Sequence, residues 1–247
     1  MRYFIELAYD GTHYHGWQTQ PNAISVQETT EKCLSVLLSS TIKITGAGRT
    51  DSGVHAKQMF AHFDWEKPLT EDFTVRMNNF LPKDIVIKAI FPVKEEAHAR
   101  FDALSRKYNY YISLKKNPFN YHSSWQFSKI NLTLNLMNQA AQILQEYTDF
   151  TSFSKLHTDV KTNDCKIFKA EWTFVEKDLI CFEIIADRFL RNMVRAIVGT
   201  LVEVGKNKLS LDEFRAIIKS KNRNNAGVSA PAKGLFLVKI NYPDTIK

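Results

Sequence analysis

Gly46-Ala47-Gly48-Arg49-Thr50-Asp51-Ser52-Gly53-Val54-His55-Ala56 is a glycine-rich loop with a carboxylate at its middle, and its flanks decide the fold. Upstream, Thr41–Thr45 reads as a strand, and downstream Lys57–Asp64 reads as another. A glycine-rich loop that opens a helix marks a nucleotide-binding βαβ unit, whereas this one leads into a strand. Asp51 stands where the third glycine of a dinucleotide fingerprint would fall, and no Gly-Lys-Ser/Thr completes a phosphate loop. Three glycines within eight residues allow a sharp bend or a close backbone approach around the carboxylate.

The pattern extends in both directions. Arg2–Tyr9 alternates like a half-buried strand and Asp10-Gly11 supplies a turn. Ser25-Val26-Gln27-Glu28 is a capping-box pattern opening a helix that carries Cys33, Leu34, Leu37 and Leu38 on one face. A shorter helix starts at Thr70-Glu71-Asp72 and ends before Pro82, followed by a strand over Ile85–Phe91. From Ser105 the grammar repeats with a strand Arg106–Leu114, a turn at Asn117-Pro118 and a helix over Leu134–Tyr147. A hairpin across Glu176-Lys177-Asp178 comes next, then a long helix from near Arg188 to Glu203, with Gly205 placed to cap it. A second capping box, Ser210-Leu211-Asp212-Glu213, opens a helix ending near Lys219, and Leu235–Ile240 reads as the last strand. The expected fold is α+β, a mixed and mainly antiparallel sheet with flanking helices, in two halves spanning 1–104 and 105–247.

Composition narrows the partners. The 247 residues are 44% hydrophobic and carry 33 Lys and Arg against 26 Asp and Glu, a formal charge of +7 that attracts polyanions. Nucleic acid, an anionic membrane surface and acidic substrates all satisfy that balance. Cys33, Cys165 and Cys181 are odd in number and widely spaced, which fits a reducing cytosol. The amino terminus lacks an apolar leader core, and no run approaches the roughly 18 apolar residues of a membrane span. The expectation is a soluble, cytoplasmic protein.

Three segments carry candidate chemistry. Asp51 reads either as a local cap of its own loop or as a reactive carboxylate. Asp51-Ser52-Gly53 also matches the tripeptide of aspartic proteases. Those enzymes pair two carboxylates around one proton, and Arg49 two residues away favours the ionised form instead. Arg106, Tyr108 and Tyr110 share one face of their strand, a cation and two phenols suited to base stacking beside a phosphate, or to covering a core edge. Arg188, Arg191 and Arg195 fall within about 60° on the first turns of the expected long helix, which reads either as a solvated basic face or as a place where an anion is favoured. The seven histidines show no metal-binding spacing, and Lys219-Ser220-Lys221-Asn222-Arg223 reads as a solvated helix end or as a contributor to phosphate binding.

The loop Gly48–Ala56 resembles the catalytic-aspartate motif of the tRNA pseudouridine synthase A family. The likeness runs in order through Tyr9-Asp10-Gly11, Tyr14-His15-Gly16-Trp17-Gln18, Ser25–Glu28, Asn79-Phe80-Leu81-Pro82 and His98-Ala99-Arg100-Phe101. It continues through Arg106–Tyr110, Asp149-Phe150-Thr151-Ser152-Phe153, Met193-Val194-Arg195 and Gly234–Val238. The resemblance implies two related halves around a central cleft and isomerisation of uridine to pseudouridine at positions 38, 39 and 40 of tRNA. It implies binding of the anticodon arm by a homodimer, without cofactor or metal. It places the nucleophile at Asp51, the active-site tyrosine at Tyr108 and the carboxylate's partner at Arg195. Apart from the resemblance, Arg49, Arg106, Arg188 and Arg191 are expected, with Tyr108, to contact the substrate. Ser52, Lys57 and Lys107 depart from common family residues. A non-catalytic tRNA-binding module is the competing expectation.

Overall fold

The computed structural model describes residues 1–127, 131–155 and 162–246. Its contacts group Met1–Leu104 with Leu237–Lys247 in one compact unit and Ser105–Phe236 in a second. Among the described residues, every strand pairing given below is antiparallel except one, in agreement with the α+β expectation.

In the first unit, β1 (Arg2–Tyr9) lies between β3 (His55–Asp64) and β4 (Ile85–Val93), pairing from Arg2 opposite Asp64 and Val93 to Tyr9 opposite Ala56 and Ile85. Tyr3, Phe4, Ile5, Leu7 and Tyr9 are buried, as a strand with neighbours on both edges and a covered face requires. The helices are α1 (Val26–Leu37) and α2 (Phe73–Phe80); the Ser25 hydroxyl accepts the Glu28 amide at 3.2 Å. The strand expected over Thr41–Thr45 shrinks to β2 (Thr45–Gly46), because α1 takes the amides a ladder would need. Ile42 N–H donates to Ser35 Oγ at 2.9 Å and Ile44 N–H to Glu31 Oε1 at 3.1 Å.

In the second unit, β8 (Leu179–Ala186) runs between β5 (Ser105–Ser113) and β7 (Ile167–Glu176), and the two-residue β6 (Trp125–Gln126) adds to β5 in parallel. Trp172 stacks on Phe182 at 4.9 Å. The outer edge of β7 is covered by α3 (Leu134–Ile143): Trp172 N–H donates to Asn138 Oδ1 at 2.7 Å, and Asn138 Nδ2 donates to the Trp172 carbonyl at 3.0 Å. The capping box at Ser210 is complete and opens α5 (Leu211–Lys219).

The long helix α4 runs Met193–Gly205, starting five residues later than the sequence suggests. Asn192 sits just before it at φ +66, a left-handed conformation that cannot continue a helix. Asp187 Oδ1 takes the Arg188 amide at 2.7 Å, and the Arg191 carbonyl accepts from Lys155. Arg188 and Arg191 therefore lie on a loop, and the shared helical face expected for the three arginines is not formed. Gly205 is not a cap. It is the last helical residue, and a Cβ there would sit 2.6 Å from Met137 Sδ of α3. The last strand, β9 (Leu235–Asn241), spans the boundary, and Leu237 onward packs with the first unit, not with 105–236 as the sequence division has it. Ile240 N–H donates to Gln58 Oε1 at 3.0 Å, and Tyr242 meets Phe4 edge-on at 5.4 Å. Among the described residues, no helix is long and apolar enough to cross a membrane.

The first unit contains a pH-sensitive element. His62 on β3 is 7% exposed, and its Nδ1 accepts the Ala99 amide at 3.1 Å. Burial, then the charge of Arg2 and the neighbouring His98, pushes its pKa down to about 4. The unfolded chain protonates this histidine near the ordinary value of about 6.5, so its contribution is intact above that pH and is lost as pH falls toward 4. Melting temperature should drop between pH 7 and 5, and His62→Gln, which keeps an acceptor without titrating, should flatten that drop. An equally steep drop in the variant would contradict the assignment.

Candidate active site

The Asp51 loop is held in place by the chain that follows β1. Thr50 is buried; its hydroxyl shares a 2.9 Å hydrogen bond with the Tyr9 hydroxyl, and its carbonyl accepts the Trp17 amide at 3.3 Å. Beyond Asp51, Gly53 N–H and the Ser52 hydroxyl both donate to the Tyr14 carbonyl, at 3.2 and 3.3 Å. The Asp51 carbonyl accepts the Val54 amide at 3.1 Å, closing a turn in which Gly53 adopts φ +76. The half-buried Asp51 is thus flanked on both sides by residues that hydrogen bonds to Tyr9, Tyr14 and Trp17 hold in place.

Residues Tyr9–Trp17 form a clamp on the loop. Tyr14 donates to Asp84 Oδ1 at 2.6 Å, and burial followed by that bond raises its phenol above the ordinary range. His55 is buried with Nδ1 accepting the Gly11 amide at 3.1 Å. Gly16 lies at φ +85, where a Cβ would come within 2.2 Å of the Thr50 carbonyl oxygen. Gly48, by contrast, has no described atom within 4 Å of a Cβ position. Gly16→Ala should therefore cost about 1–2 kcal/mol from backbone conformation alone, shift the loop and reduce activity by about 10²-fold. Gly48→Ala should melt at the parent temperature. Equal melting and equal activity for both variants would show that the clamp does not position the loop.

In the second unit, Tyr108 of β5 is half-buried and meets Phe189 edge-on at 5.1 Å. Tyr110, expected beside it as a stacking surface, is fully buried, and its hydroxyl donates to the Pro231 carbonyl at 2.8 Å. It belongs to the core. Arg106 Nη1 donates to the Asp187 carbonyl at 2.7 Å, which ties this arginine to the loop after β8. Lys107 is ion-paired with Glu183, which Lys169 also reaches at 3.0 Å.

Arg195 is the one member of the arginine trio on α4, where it is half-buried. Its Nε donates to the Ala230 carbonyl at 2.8 Å, and the Ala230 amide donates to its carbonyl at 2.9 Å. Pinning Nε fixes the plane of the guanidinium and hence the direction of both Nη groups. The strand of chain that does this, 226–231, is itself tied down. Ser229 Oγ accepts from Asn192 Nδ2 at 2.7 Å and from Arg223 Nη2 at 2.8 Å, and Gly227 N–H donates to Thr200 Oγ1 at 2.9 Å. Arg223 is thus a brace and not part of a solvated helix end, and Lys221 pairs with Asp149 at 2.8 Å. Arg188 is half-buried and Arg49 and Arg191 are exposed.

Sequence reasoning about residue types missed Tyr9, Tyr14, Gly16 and Thr50 as the supports of Asp51, and Asn192, Arg223 and Ser229 as those of Arg195. The available signal was the run of small and aromatic residues after β1, which has neither strand nor helix period.

The sequence profile of a family described as tRNA pseudouridine synthase matches residues 7–102 and 140–243. Relatives named tRNA pseudouridine synthase A align almost end to end. That of Bacteroides fragilis is 57% identical over 247 residues, covering 99% of this chain and 98% of its own. That of Azobacteroides pseudotrichonymphae genomovar. CFP2 is 56% identical over 246 residues, with 99% and 98% covered, and that of Parabacteroides distasonis is 53% identical over 247, with 99% and 97% covered.

Proposed function

The chain belongs to the tRNA pseudouridine synthase family, and from that premise we propose that it isomerises uridine to pseudouridine in the anticodon arm of tRNA, at positions 38, 39 and 40, with Asp51 as nucleophile. The observation that supports this reading most is a half-buried aspartate whose loop is fixed by the Tyr9 hydroxyl and the backbone of Tyr14 and Trp17, inside a chain more than half identical to named synthases over nearly its whole length.

The reaction breaks the C1′–N1 bond, turns the uracil and joins C1′ to C5; N1 gains a proton and C5 loses one. No atom is added and no net electron is transferred, so the chemistry calls for neither a redox cofactor nor a metal. A carboxylate serves it as nucleophile toward base or ribose, or as a base toward the sugar. We assign Asp51 this task, Arg195 the support of its charge through fixed guanidinium geometry, and Tyr108 the stacking of the uracil while it turns. The target base must leave its stack first, at a cost of a few kcal/mol. Arg49, Arg106, Arg188 and Arg191 would offset that through phosphate contacts that weaken as salt rises. The proposal includes a cytoplasmic homodimer as the working form.

Loss of the C5 proton supplies a direct test. Transcripts carrying tritium at C5 of uridine should release it to water on incubation with the protein alone, one tritium per pseudouridine formed. Retention of all tritium with intact tRNA binding would overturn the catalytic reading in favour of a binding module.

A further inference from the structure

The segment His98-Ala99-Arg100-Phe101 has no part in the chemistry assigned to Asp51, yet its geometry is unusually constrained. Four consecutive amides are taken by side chains. His98 N–H donates to Asp102 Oδ2 at 2.7 Å and Ala99 N–H to His62 Nδ1 at 3.1 Å. The amides of Arg100 and Phe101 both donate to His98 Nδ1, at 3.1 and 3.3 Å. The two imidazoles meet edge to face at 4.7 Å, and Arg2 reaches the same turn by donating to the Ala97 carbonyl at 3.0 Å. A turn built this way has little freedom.

That rigid turn displays a large aromatic ring. Phe101 is 74% exposed, with the His98 ring against it at 4.2 Å and the Arg100 guanidinium 5.6 Å from its centroid. What sets this ring apart from the more exposed Phe119 is the company of an imidazole and a guanidinium on a turn whose amides are all taken. A face backed by an imidazole and flanked by a cation suits a planar ring attached to a phosphate, and the chain's formal charge of +7 favours the same class of ligand.

We propose that Phe101 and Arg100 form a stacking platform for an unpaired base of the tRNA, with His62 and His98 as positioning residues that hold the turn. The platform takes a nucleotide other than the reacting one, since His62 lies seven residues along β3 from His55, roughly 20 Å at strand spacing. This inference rests on the tRNA reading above. It concerns binding, so it can fail while pseudouridine still forms.

The test is filter binding of unmodified tRNA at fixed salt together with single-turnover rates at saturating protein, on Phe101→Ala, Phe101→Tyr, His98→Leu and His98→Asn. Phe101→Ala should weaken binding about 10-fold with the saturated rate unchanged, and Phe101→Tyr should restore affinity. His98→Leu should bind as weakly as Phe101→Ala, while His98→Asn, whose Oδ1 replaces the Nδ1 acceptor, should bind like the parent. Parent affinity for Phe101→Ala would overturn the platform. So would loss of affinity accompanied by a smaller species on gel filtration, which would make a second copy of the chain the occupant of Phe101. A parent protein that neither binds nor modifies tRNA would instead sink the functional reading beneath it.

Discussion

Asp51→Asn should fold, bind tRNA with parental affinity and form pseudouridine at least about 10³-fold more slowly under single-turnover conditions. The substitution is nearly isosteric and removes the negative charge. The contacts through the Asp51 carbonyl, Thr50, Ser52 and Gly53 survive it. A loss of affinity or of melting temperature matching the loss of rate would mean that Asp51 acts as a structural cap of its loop. A parental rate would remove it from the chemistry altogether.

Arg195→Ala comes second in expected size, with the saturated rate falling about 10²-fold or more and tRNA affinity changing by less than about 3-fold. The reciprocal bond from the Ala230 amide to the Arg195 carbonyl is a backbone contact and persists in the variant, so the 226–231 segment keeps one of its ties. Arg195→Lys retains the charge but lacks Nε and the planar fork, and should fall between parent and alanine variant. Equal rates and a weakened Kd would instead place Arg195 on an RNA phosphate, with no role beside the reacting carboxylate.

Where hydrophobic period and capping chemistry were strong, the sequence was a sufficient guide. β1 ends where the alternation ends, Ser25 and Ser210 cap the helices their spacing marks, and the hairpin turns between Glu176 and Leu179. Local pattern misled where a side chain from elsewhere took over backbone hydrogen bonds. Glu31 and Ser35 prevent a strand at Ile42–Ile44, and the left-handed Asn192 delays α4 past Arg191. Asp51 stood out because a carboxylate among glycines is chemically conspicuous. Its supports did not, since tyrosines and threonine acting through carbonyls and hydroxyls carry no spacing rule. Period-two reasoning put Tyr108 and Tyr110 on one face correctly but could not reveal that the second is buried against Pro231.

The most direct measurement is position-resolved. Unmodified tRNA transcripts with uridines in the anticodon arm would be incubated with the protein alone, and pseudouridine mapped by carbodiimide modification and primer extension. Stops at positions 38, 39 and 40, absent with Asp51→Asn, are the predicted result. Tight, salt-sensitive binding that leaves every uridine unchanged, or stops that persist with Asp51→Asn, would contradict it.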